Sequence, residues 1–118
     1  MANDLTLADL NAAAGSAVFS VSGANITINA QLLLGEPTFS LSDEKVAELL
    51  TRVLSTAAKA QSEYNALPAN IAKLDSYPTP ISGIPFFEVA TDQYFVTSTY
   101  SFSSRAPLNL AATTAVQV

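Results

Sequence analysis

The stretch SDEKVAELLTRVLSTAAKAQSEYNA, residues 42–66, decides the fold, because no other long segment has an unambiguous period. Val46, Leu49, Leu50, Val53, Leu54, Ala57, Ala60 and Tyr64 recur at three- and four-residue spacing, which is the spacing of one helical face. At 100° per residue they fall within an arc of roughly 140°. Glu48, Ser55 and Ser62 lie opposite, and Lys45, Arg52 and Lys59 flank the apolar stripe. Ser42 is the expected N-cap, Asp43 and Glu44 suit the positive end, and Leu41 is placed to staple onto Val46. Pro68 stops the helix, since its ring clashes with the preceding turn. The pattern therefore predicts a helix over 43–66, roughly 36 Å long.

A helix of that length needs a partner for its stripe, and the flanking sequence offers β structure. Residues 16–34 read as a hairpin. Ala17, Phe19 and Val21 alternate with serines, and Ile26, Ile28, Ala30, Leu32 and Leu34 alternate with polar residues beyond Gly23-Ala24. Glycine at the first central position suits a two-residue II′ loop. That loop sets the pairing as Ser22 with Asn25, Val21 with Ile26, Phe19 with Ile28 and Ala17 with Ala30. Every apolar partner then shares one face, whereas a one-residue slip scatters them.

The remaining segments follow from punctuation. Residues 1–14 read as an arm and short helix capped by Thr6 and ended by Gly15. A second short helix is expected through Ile71 and Leu74, and 76–85, with Pro78, Pro80, Gly83 and Pro85, reads as an irregular connection. Residues 86–103 read as a second β pair around Thr91-Asp92-Gln93. Phe87, Val89, Tyr94, Val96, Tyr100 and Phe102 share one face, and Phe86 and Phe95 stand on the other, otherwise polar, face. Residues 108–118 alternate apolar and polar as a C-terminal strand or arm. The expected fold is thus a single α+β domain over 1–118, an antiparallel sheet of four to five strands with one long amphipathic helix packed on one face.

Composition bounds function. The chain has no cysteine, histidine or tryptophan and a net charge of -5. Thiolate chemistry and a Ser–His–Asp set are excluded, and no basic patch points to nucleic acid. Ser42 and Lys45 meet a Ser-x-x-Lys spacing, but capping explains that serine. Asp43 and Glu44 diverge around the helix, and Glu88 and Asp92 lack a further acid at metal-loop spacing. Glu48–Arg52 and Lys59–Glu63 are expected as i,i+4 pairs. No catalytic, cofactor or metal residue is therefore expected, and no enzymatic activity. Neither a signal peptide nor an apolar run of membrane-spanning length is read, so the expected site of synthesis is the cytosol and no membrane partner is expected.

Charged residues make up only 13% of the chain against 49% hydrophobic ones, and residues 11–35 carry no charge at all. A typical soluble domain is about 25% charged, so the shortfall reads either as a β surface wetted by serine, threonine and asparagine or, the favoured reading, as surface largely covered by neighbouring subunits. The expected function is a structural subunit of a larger symmetric assembly, of the virion or phage tail-like kind. Its partners are copies of itself or other subunits. The expected interface residues are Phe86, Phe95, Leu108, Leu110, Val116 and Val118. The alternative is a small binding module that holds an apolar ligand or partner between sheet and helix.

Overall fold

The computed structural model describes residues 4–105. They form three helices and three two-stranded antiparallel pieces, with a long helix at the centre of a mixed α+β arrangement. Helix α1 (Leu7–Ala14) is fixed by a capping box. The Asp9 N–H donates to the Thr6 hydroxyl at 3.2 Å, and the Thr6 N–H donates to the Asp9 carboxylate at 2.9 Å. Eight residues do not hold a helix in isolation. Docking on the long helix holds this one, and Ala13 on α1 and Ala57 and Ala60 on the long helix, all buried, are small enough to allow close approach of the two.

Strands β1 (Phe19–Ser22) and β2 (Asn25–Ile28) pair in the register that the Gly23-Ala24 turn requires: Ser22 with Asn25, Val21 with Ile26, Phe19 with Ile28. Gly23 takes φ +57° while Ala24 stays at negative φ, which is the II′ pattern. The expected pairing of Ala17 with Ala30 does not form. Asn29 instead accepts a hydrogen bond from the Leu32 N–H and caps a short helix, α2 (Ala30–Leu34), which Gly35 ends at φ +72°. The reason lies in Leu33. A strand sends Leu33 and Leu34 to opposite faces, whereas a helical turn buries both, and both are buried here.

The long helix, α3 (Val46–Ala66), starts later than its sequence suggests. Asp43 does not enter a first turn. Its carboxylate accepts from the Ser40 N–H at 2.8 Å while its own N–H donates to the Ser40 carbonyl at 3.1 Å, closing a separate turn. Lys45 becomes the N-cap without a side-chain bond, and Leu41 is fully exposed rather than stapled. At the other end Leu67 is extended, and the Lys73 ammonium donates to the Asn65 and Leu67 carbonyls at 2.7 and 3.4 Å. A cation there meets both the unpaired carbonyls and the negative end of the helix dipole.

The core is small and lies where α1, the root of β1, α2 and the first half of α3 converge. Val18, Phe19, Leu33 and Leu34 are buried, and Leu7, Leu10, Leu49 and Val53 pack on them. Beyond α3 the expected second short helix is absent among the described residues. The chain runs extended along α3, with Leu74 and Ser76 buried. Carboxamides hold it there. Asn65 donates to the Leu74 carbonyl and accepts from its N–H at 2.9 and 2.8 Å, and Gln61 does the same with Tyr77 at 3.0 Å each. Asn11 on α1 holds Phe19 likewise, at 2.9 Å both ways.

Strands β3 (Ile81–Ser82), β4 (Phe86–Glu88), β5 (Gln93–Phe95) and β6 (Ser98–Thr99) make up one interrupted ribbon. Ile81 pairs with Thr99 and Ser82 with Ser98, then Phe86 with Phe95, Phe87 with Tyr94 and Glu88 with Gln93. Three residues, Gly83, Ile84 and Pro85, face two, Val96 and Thr97, so the ladder breaks there as at a bulge. Pro85 has no N–H to give to a ladder. Contrary to the expected fold, no four- or five-stranded sheet exists among the described residues, and the strand residue that shares the core with α3 is Phe19 at the root of β1. Local alternation fixes which residues form strands, but not whether the two ribbons meet.

Candidate interaction surface

The distal ribbon displays aromatics on both faces. On one, Phe86 and Phe95 pair directly, ring centroids 6.1 Å apart, at 49% and 38% exposure. On the other, Phe87 and Tyr94 make an edge-to-face pair at 5.0 Å, with Tyr94 75% exposed. The alternation predicts these pairs on opposite faces, with one face packed on the helix; the pairs do lie on opposite faces, but neither face is packed on α3. The turn at the ribbon's end spans residues 89–92, earlier than expected, with the Asp92 N–H donating to the Val89 carbonyl at 3.3 Å. Asp92 takes φ +53°, a left-handed conformation that aspartate tolerates better than most side chains. Leu108, Leu110, Val116 and Val118, the other expected interface residues, lie outside the described residues.

A second feature is an apolar groove of about 460 Å³ between α1 and α3. Leu7, Leu10, Leu50, Val53, Leu54 and Phe102 line it. The apolar stripe of α3 is thus only partly covered. Ala57 and Ala60 are buried, whereas Leu50 is 55% exposed and Val46 is open to solvent. At the groove's edge the Tyr77 hydroxyl donates to the Asp4 carboxylate at 2.7 Å. Burial first, and the Asp4 carboxylate second, push the phenol up to about 12.

Basic residues occupy a third place. Arg52 and Lys59 line a recess of about 310 Å³ whose floor includes Ala13, Val18 and Leu33. The expected pairs Glu48–Arg52 and Lys59–Glu63 are not made among the described residues. Glu48 is taken by Lys45 at 3.1 Å, and Lys45 also meets Glu36 at 3.1 Å. That arrangement raises the Lys45 ammonium above its ordinary value, through the hydrogen bond to Glu36 and then the one to Glu48. A lysine held protonated is unsuited to act as a general base beside Ser42. Ser42 itself meets the Ser40 hydroxyl at 3.1 Å and caps no helix. Among the described residues no three acidic side chains gather as a metal site, and no helix is long and apolar enough to cross a membrane.

The residues that the sequence reading missed are the carboxamides Asn11, Gln61 and Asn65, and Lys73. Their signal is weak, because a polar residue next to an apolar stripe looks the same whether it meets water or a backbone. Comparison with protein-family models, curated proteins and solved structures returns no match to this chain.

Proposed function

We propose that this chain is a structural subunit of a larger symmetric assembly, built through subunit contacts that cover its distal ribbon. The observation that carries this reading is the ribbon with both aromatic faces and both edges unoccupied by the rest of the described chain. An isolated two-stranded ribbon is marginally stable in water, and its unpaired N–H and C=O groups invite a further strand. Soluble proteins guard such edges with lysine, proline, bulges or short strands; this ribbon has Pro85, a bulge-like break and short strands, but between residues 76 and 104 its charges are Glu88 and Asp92 alone. The four- to five-stranded sheet read from the sequence is accordingly proposed as a property of the assembly, completed when ribbons of neighbouring copies join. Copies of the same chain, with or without other subunits, are the partners. Residues 108–118 are proposed to contribute a further strand to such a contact. The scarcity of charge and the serine- and threonine-rich strands suit a virion or phage tail-like particle.

Phe86→Ser with Phe95→Ser tests the contact. The double variant is expected to keep the helical signal and melt of the parent but to sediment as a smaller species. An unchanged assembly would exclude this face as the contact.

The α1–α3 groove favours a second reading, a module that holds an apolar ligand or partner segment against α3. A fluorescent apolar probe displaced from the folded chain by Leu50→Glu would support it. A probe bound equally by both forms would not.

A further inference from the structure

The ribbon's tip and the basic recess are complementary in charge and shape, and they belong to the same chain. The tip carries Glu88 and Asp92 around Val89, which is 83% exposed. Both carboxylates are free of ion pairs among the described residues. The recess carries Arg52 and Lys59, also unpaired among the described residues, above the apolar floor of Ala13, Val18 and Leu33. Glu48, the acid one turn before Arg52, is already occupied by Lys45. A recess of about 310 Å³ accommodates a valine side chain with a neighbouring backbone turn. From Ile81 to the end of β4 the ribbon reaches roughly 25 Å at strand rise, long enough to present its tip away from its own core.

Resting on the assembly reading above, we infer that the acidic tip of one copy docks in the Arg52–Lys59 recess of the next copy. Val89 enters the recess, and Glu88 and Asp92 meet the guanidinium and ammonium at its rim. The two surfaces are different patches of one molecule, so the contact is head-to-tail. Such a contact closes into a ring if its rotation permits and otherwise extends as a filament. Placing opposite charges on the two patches also sets direction, because tip on tip and recess on recess both repel.

Charge reversal gives the test. One variant carries Glu88→Lys and Asp92→Asn, asparagine being another residue that tolerates the left-handed backbone at position 92, and the other carries Arg52→Glu and Lys59→Glu. All four positions are exposed or half-exposed, so circular dichroism melts of the variants are expected to match the parent. Each variant alone is expected to associate at least about tenfold more weakly than the parent by sedimentation velocity. Mixed in equal amounts the two are expected to recover association, since each tip then meets a recess of opposite sign. Variants that assemble like the parent, or a mixture that stays as dissociated as its components, would overturn the docking while leaving the assembly reading intact. A parent chain that is monomeric at every concentration would remove both.

Discussion

At the residue scale, the distinctive device is the carboxamide that both donates to and accepts from the backbone of one partner residue. Asn65 with Leu74 and Gln61 with Tyr77 pin an extended chain to a helix without making it a strand. Each amide satisfies two backbone groups that would otherwise be left half-buried and unpaired, at about 1–3 kcal/mol per group. Asn65→Leu is therefore expected to cost about 2 kcal/mol in urea unfolding, and Asn65→Asp to cost as much, because a carboxylate cannot donate to the Leu74 carbonyl. An aspartate variant as stable as the parent would show that the donated bond is unimportant. Tyr77 makes a second residue-scale prediction. Burial, then Asp4, favours its neutral phenol, so the folded state keeps this proton longer than the unfolded chain does. Its contribution to stability is complete below the ordinary tyrosine value of 10.0 and is lost as pH rises towards about 12. An ultraviolet titration should show a late tyrosinate step that Tyr77→Phe removes and Asp4→Asn moves to lower pH. A late step that persists in Tyr77→Phe would assign it elsewhere.

At the scale of elements, the first hairpin was legible because two independent signals agree. Gly23 demands a turn with positive φ, and the alternation on either side accepts only one register. Gly23→Val should accordingly cost about 1 kcal/mol or more through backbone strain alone, since nothing lies within 4 Å of the added Cβ. Ala24→Gly should be mild, and equal effects on the melting midpoint would contradict the II′ turn. Legibility failed where a local pattern had two solutions. Ala30, Leu32 and Leu34 alternate as in a strand, yet burial of adjacent Leu33 and Leu34 selects a helix. The start of α3 was misplaced because Asp43 serves a turn as readily as a first helical turn. The stripe of α3 is covered only in part, with Ala57 and Ala60 buried and Val46 and Leu50 exposed, because how much of a helical face is covered depends on partners distant in sequence. Leu33→Ala, in the core, should cost about 2–5 kcal/mol. Leu50→Ala, half-exposed in the groove, should cost about 1 kcal/mol by denaturant unfolding of the dissociated chain. Equal losses would place Leu50 in the core after all.

At the scale of the molecule, a modest core at one end holds α1, α2 and α3 together, while a bare aromatic ribbon stands apart from it. The charge-poor composition leads to the expectation of covered surface; the structure shows exposed apolar side chains on the ribbon, and their covering by neighbours is the proposal made above. The alternation leaves Phe86 and Phe95 at the surface, where the structure has them, and no periodicity in a single chain encodes the proposed partner. Sedimentation equilibrium of the unmodified chain across a wide concentration range addresses that partner directly. A self-assembling subunit should show a mass that rises with concentration towards a multiple of 12.3 kDa. A single species of 12.3 kDa at every concentration would contradict self-assembly.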